Sequence, residues 1–315
     1  MSTSEPRKHN IVVWAALFAN LGIGAAKFVA AAITGSTAML TEGIHSVVDS
    51  GNQVLLLYGE HRAKRPPDAL HPFGYGRELY FWAFVVAILI FAVGAVISIY
   101  EGVLHWSAPE PLQPPLVNYI VLALAFGIEG TSWAIALREF ATSKGNAGWW
   151  QAVKDSKDPA TFTVLFEDSA ALAGLVVAAI GVWASHHFGD PRLDGLASIV
   201  IGTILAVVAL FLAREAKGLL IGERADPVMI ARIRDIVAAH PAITMVNHVR
   251  TIHTAPKQVF AAISADFEDA VSMGAAERLI EEIEDELRAS FPVLSSIYIR
   301  PEKSEQAASL PVPSP

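Results

Sequence analysis

Six stretches of this chain, roughly 10–33, 37–60, 79–104, 115–138, 160–185 and 193–216, are each apolar for the roughly 20 residues of helix that a bilayer core demands. Hydrocarbon offers no water to exposed backbone groups, so segments of this length cross it as helices. The breaks between them carry ordinary stop signals: Thr34-Gly35-Ser36, an Arg/Lys/Pro-rich stretch at 61–78, Pro109 to Pro115, the polar 139–158, and Gly189-Asp190-Pro191. Composition agrees. Charged residues make up only 17% and hydrophobic ones 53%, against about 25% charged in an ordinary soluble domain. The polar start MSTSEPRKH leads into a long apolar run without a small-residue cleavage site, which reads as a first membrane helix and not a signal peptide.

Basic residues set the expected orientation. Arg7 and Lys8, the run His61 to Arg65 with Arg77, then Arg138, Lys144, Lys154 and Lys157, and finally Arg214, Lys217 and Arg224 fall on one side of the six spans. Arg192 is the main exception. Both termini are therefore expected to be cytoplasmic, in a multi-pass protein of a bacterial inner membrane. Much of the acid behind the net charge of −8 lies in the last hundred residues, and no nucleic-acid function is read from it. The chain has no cysteine, so any metal site must be built from His, Asp and Glu.

After about residue 221 the texture changes. DPVMIARIRDIVAAHPAI reads as an amphipathic helix, and TMVNHVRTIHT and QVFAAISADF as strands about a turn at Ala255-Pro256-Lys257. SMGAAERLIEEIEDELRASF reads as a helix with an acidic outer face, and SSIYIRPE as a last strand. That αββαβ order predicts a small ferredoxin-like α+β sheet with helices on one side. The expected organisation is a membrane domain over 1–220, an αββαβ domain over 221–302 and a disordered tail over 303–315.

The residues that do not belong in lipid are Glu42, His45 and Asp49 in the second span, Glu129 in the fourth, and Glu167-Asp168 in the fifth. An Asp at mid-helix costs about 2.5–3.5 kcal/mol on insertion scales, so such groups face a partner or a water-filled path. Alone, each acid can be explained as a cap or a helix-to-helix hydrogen bond. His45 and Asp49 stand apart, because a spacing of four sets an imidazole and a carboxylate on one helical face, half of a tetrahedral site for a divalent cation. The acids of the fifth span can supply the other half.

These residues sit in motifs. GSTAMLTEGIHSVVDSGNQ, DALHPFGYGRELY, LFEDSAALAGLVVAAIG, LDGLASIVIG and the αββαβ tail together resemble the cation diffusion facilitator family, proton-coupled exporters of zinc and related divalent metals, from Asn20 to about Glu302. The resemblance implies a homodimer, six helices per protomer and paired cytoplasmic tails. It places the family's second-span metal pair on His45 and Asp49. In the fifth span Asp168 matches the family's Asp, but the position of its His holds Val164. A branch with Glu-Asp in that span, which includes mitochondrial zinc transporters, is the most similar. The implied centre is His45, Asp49 and Asp168, with Glu167 as fourth ligand or proton acceptor. Glu42 and Glu129 are candidates for the ion or proton path.

In the loop, Asp68 and His71 match a peripheral metal site of the family, but its further His is Tyr75, a poor zinc donor at neutral pH. The competing reading is a Pro/Gly turn stiffened by side-chain hydrogen bonds. In the tail, Ile263, Ile299 and Arg300 replace the family's binuclear ligands, so His240, His248 and His253 are expected at the surface. His186 and His187 in an outer loop read as a solvated pair.

The expected function is export of Zn2+ from the cytoplasm in exchange for protons, zinc being substrate and protons counter-ions. The alternatives are a manganese, iron or cobalt exporter of the same family and a non-transporting membrane metal sensor or scaffold. No HExxH or Gly-rich phosphate loop accompanies the buried groups, so no enzyme is expected.

Overall fold

The structure, a computed structural model, describes residues 5–109, 111, 114–145 and 148–307. Six long helical spans dominate it: α1 (Glu5–Thr34), α2 (Thr37–Ala63), α3 (Glu78–Leu89) running through a π-helical turn at Ile90–Ala95 into α4 (Val96–Ser107), α5 (Leu116–Ser143), α7 (Pro159–Phe188) and α8 (Arg192–Ile221). Four of the spans are long and apolar enough to cross a membrane by length and composition alone: Glu78–Ser107, Leu116–Thr142, Thr161–Phe188 and Arg192–Ile221. α2 falls outside that group because of the polar residues that make it interesting. The protein is a polytopic helical membrane protein with a small C-terminal α+β domain. Of the basic residues counted for orientation, the side chains of Arg7, Lys8 and Lys154 lie outside those described.

By its contacts the chain divides into two compact units, Met1–Arg62 with Glu78–Lys217, and Ala63–Arg77 with Gly218–Pro315. In the first, α5 packs against both α1 and α7. The start of α2 is fixed from α8. Gly35 turns the chain at φ 66. Ser36 Oγ accepts from the Met39 N–H at 3.2 Å and donates to Asp194 at 2.8 Å, while the other Asp194 oxygen takes the Ala38 N–H at 3.1 Å. A carboxylate over free N–H groups at a helix N-terminus is stabilising.

α4 and α8 meet along a seam of small residues. A Cβ on Gly102 would come within 2.7 Å of the Gly195 carbonyl oxygen, and one on Gly202 within 2.9 Å of that of Ala95. Gly195 and Gly202 are seven residues apart and share a face, which lets the two backbones touch. The break expected at 139–158 contains a further short helix, α6 (Trp149–Asp155).

The second unit has the expected αββαβ order. α9 (Pro227–Ala238) starts at Asp226, whose side chain accepts from the Val228 N–H at 2.6 Å. β1 (Ile243–Ala255) pairs antiparallel with β2 (Gln258–Phe267), and β2 pairs parallel with β3 (Leu294–Pro301) after the crossover through α10 (Met273–Ser290). Ile233, Ile236 and Val237 of α9 and Ile283 and Leu287 of α10 bury against Val259, Ala261, Ile263 and Ile297 of the sheet. The loop before α3 joins this unit, with Phe73 edge-on to Phe260 at 5.5 Å.

The expectation of disorder from residue 303 is corrected over its first part. Lys303 pairs with Asp266 and Asp269, the Ser304 N–H donates to Asp266 at 2.9 Å, and α11 (Ser304–Ala307) buries Ala307. Residues 308–315 of that tail lie outside the described residues.

Candidate functional site

α2 brings its polar residues to the inside of the bundle. Glu42, His45, Ser46, Ser50 and Asn52 are all buried. Across from them α7 contributes Glu167 and Asp168, and α5 contributes Glu129, all three buried as well. Between these helices lies a cavity of about 10 Å³ lined by Asn20, His45, Asp49, Glu129, Ser132 and Asp168 among others. Space of that order admits one water-sized body.

His45, Asp49 and Asp168 thus line one small cavity. Asn20 donates to Asp49 at 3.2 Å and Ser132 donates to Asp168 at 2.9 Å, so each carboxylate is oriented by a neutral donor and keeps other lone pairs open. Both ring nitrogens of His45 are buried without a hydrogen-bond partner among the described residues. A buried imidazole left bare forfeits about 1–3 kcal/mol for each unpaired group, which calls for an explanation. Among the described residues, no three His, Asp or Glu side chains converge as a ready coordination shell.

Glu167 takes a different direction from its neighbour. It does not line the cavity; Asn52 donates to its Oε1 at 2.7 Å, and its carboxyl also contacts that of Asp49. Consecutive helical residues point about 100° apart, which is why Glu167 and Asp168 divide.

Glu42 and Glu129 meet a residue that sequence reasoning passed over. Lys27, on α1, is 0% exposed. Its ammonium donates to Glu42 at 3.0 Å, to Glu129 at 2.7 Å and to Ser46 at 2.9 Å, tying α1, α2 and α5 together. A lone lysine in GAAKFVAAA was the available signal, since a mid-membrane cation demands partners. Gly174 on α7 makes room for this cluster, because a Cβ there would collide with Glu42.

The loop pair is occupied by its own turn. One Asp68 oxygen accepts the N–H groups of Leu70 and His71 at 3.0 and 2.7 Å, and the other accepts the Tyr75 hydroxyl at 2.6 Å. His71 Nδ1 lies 3.2 Å from the same carboxylate, its ring 4.2 Å from that of Tyr75. Hydrogen bonds, that of Tyr75 foremost, hold the Asp68 carboxyl down at about 2.

In the tail, Ile263 pairs with Ile299 in the sheet register and Ser264 with Arg300. His240 lies 3.3 Å from Glu286. His248 has a lowered pKa, first through partial burial and then through Arg250. The surface expectation is corrected for His253, which is buried where its backbone N–H donates to the Glu223 carbonyl at 2.9 Å. The outer loop expected at His186 and His187 is instead the last turn of α7, where His187 is exposed and stacks on Trp183 at 5.0 Å, while His186 is half-buried 2.9 Å from the Val182 carbonyl.

Comparison with known proteins shows the family. Residues 13–221 match the model of the cation efflux transmembrane domain, and residues 225–304 that of the cation efflux protein cytoplasmic domain. Over 247 residues, 78% of the chain, it is 33% identical to a Xenopus laevis protein named proton-coupled zinc antiporter SLC30A9, mitochondrial, of which it covers 44%. It is 35% identical over 226 residues, 70% of the chain, to metal tolerance protein C4 of Arabidopsis thaliana, covering 49% of that protein. With cation-efflux pump FieF of Cronobacter sakazakii it shares 25% identity over 259 residues, 82% of the chain and 81% of the relative. The chain therefore spans less than half the length of the first two.

Proposed function

Because this chain belongs to the cation diffusion facilitator family, we propose that it exports divalent cations from the cytoplasm as a zinc/proton antiporter. The observation that carries this reading is His45, buried with two bare ring nitrogens on a small cavity that Asp49 and Asp168 also line. An imidazole and two carboxylates suit a borderline cation such as zinc, whereas manganese favours oxygen donors throughout.

The ligands must be deprotonated to take the ion, so loading releases protons and reprotonation from the opposite side expels it. Glu167, held by Asn52 and in contact with Asp49, stands where a displaced proton can be received. Alternating access comes from rocking one helix group against another about the midplane site. Both termini lie in the cytoplasm, and the α+β tails pair two copies. We assign the Asp68–His71 loop to turn architecture, since its carboxylate is fully engaged locally. The relatives include mitochondrial and bacterial proteins; we place this one in a bacterial inner membrane.

A metal sensor or scaffold without transport is the second reading, and the lack of a converged donor shell among the described residues favours it. Proteoliposomes with an imposed pH gradient separate the two. Gradient-driven zinc uptake that disappears in Asp49→Ala is expected. Absence of flux for zinc, manganese, iron and cobalt by folded protein would leave the sensor reading, and manganese flux exceeding zinc flux would change the substrate.

A further inference from the structure

The charges around Lys27 do not balance. One ammonium faces two carboxyls, Glu42 and Glu129, and among the described residues no other cation pairs with either. Glu42 is wholly enclosed, whereas Glu129 reaches the cavity that holds His45, Asp49 and Asp168. Its two oxygens differ. Oε1 is fixed on Lys27 at 2.7 Å, and Oε2 is buried without a hydrogen-bond partner among the described residues. A carboxyl tethered through one oxygen and bare at the other is a monodentate donor held in place. Meanwhile the donor set from α2 and α7 is one short: Val164 has no ligating atom, and Glu167, whose Oε2 likewise has no hydrogen-bond partner among the described residues, is held by Asn52 through Oε1 and, unlike Glu129, does not line the cavity.

Resting on the transport reading above, we infer that Glu129 is the fourth substrate ligand, binding the divalent cation through Oε2 from α5 while Lys27, as a positioning residue, holds Oε1. The shell is then one imidazole and three carboxylates from three helices. His45 and the three carboxylates close on the ion as it enters the cavity, and the surplus negative charge beside Lys27 is neutralised by the substrate itself. Such a set is harder than one with two imidazoles, so it discriminates less against manganese and cobalt.

The test is calorimetric titration of zinc into purified full-length protein in detergent, comparing wild type with Glu129→Gln, Glu167→Gln and Asp49→Asn. Glu129→Gln is a mild change for the fold, because it leaves Lys27 and Glu42 as a one-to-one pair and keeps a carbonyl oxygen for the ammonium. Glu129→Gln and Asp49→Asn are each expected to weaken zinc binding by about 10–100-fold or more, and Glu167→Gln by less than about threefold. Wild-type affinity in Glu129→Gln with loss in Asp49→Asn overturns the Glu129 assignment and leaves the transport reading standing. Wild-type affinity in both overturns the reading as well. Glu129→His, loaded with cobalt(II), gives an independent answer through visible absorption: a bound second nitrogen changes the spectrum from that of the wild type, and an unchanged spectrum overturns the proposal.

Discussion

Asn52 donates to Glu167 at 2.7 Å from one turn beyond the His45–Asp49 pair, so the two adjacent acids of α7 are held to different tasks by different partners. Asp168 faces the cavity under Ser132, while Glu167 is drawn toward α2. Asp168→Asn is therefore expected to lower the initial rate of gradient-driven zinc uptake at least about tenfold, as loss of a ligand does. Glu167→Gln should keep zinc affinity but flatten the dependence of uptake on the pH gradient. Equal losses of affinity in both variants would contradict this division.

Lys27 is fully enclosed by its carboxyl partners, and removing one member of such a cluster leaves unpaired buried charge. Lys27→Met should cost about 3–5 kcal/mol. Lys27→Met combined with Glu42→Gln should recover a large part of that loss. Thermal unfolding in detergent, analysed as a double-mutant cycle, measures the coupling. Independent, additive effects would dissolve the cluster as an energetic unit.

The loop carboxylate offers a pH handle outside the membrane. Asp68 has a pKa of about 2 in the folded protein, against about 3.9 for an unperturbed aspartate. Its folded value is the lower one, so its contribution is complete above about pH 4 and disappears as pH falls through about 2. Tyr75→Phe removes the hydrogen bond that lowers it most and should raise the Asp68 value, as followed by carboxyl NMR of labelled protein. Zinc flux at neutral pH should be unchanged in Asp68→Asn; a loss of flux would return the loop to the transport path.

The glycine seam predicts a contrast between two substitutions of the same kind. At Gly195 a new Cβ meets the Gly102 carbonyl oxygen at 2.9 Å, whereas at Gly127 nothing lies within 4 Å. Gly195→Val should destabilise the protein by about 1–3 kcal/mol through overpacking. Gly127→Val should be close to neutral. The melting temperatures of the two variants in one detergent decide it.

Much of this was legible in the sequence because it is local. Spans of apolar residues, the helical spacing of His45 and Asp49, and the alternation in β2 are all written within a few turns of chain. The rest depends on partners distant in sequence. Lys27 finds Glu129 102 residues away, and Asp194 caps a helix 156 residues before it. Neither link has a local signature: the sequence marks Glu42 only as a candidate for the ion or proton path, and the fold alone sets its carboxyl on the Lys27 ammonium. His253 looked like a surface residue because a single histidine in a strand does not announce which face it occupies. The expected disorder after residue 302 overlooked Asp266, which takes up the Ser304 N–H.

Lys27 and Glu42 belong to consecutive helices joined by the tight turn at Gly35-Ser36, only 15 residues apart. Their ion pair can form as soon as α1 and α2 have been synthesised, long before α5 brings Glu129. A lysine inserted alone would cost about 2.5–3.5 kcal/mol, so the first two helices have reason to enter the bilayer together, with Lys27 and Glu42 already paired. Glu129 then joins a cation already in place. On this account the order of synthesis is built into the cluster: its structural half is assembled first, and the half that faces the substrate arrives last.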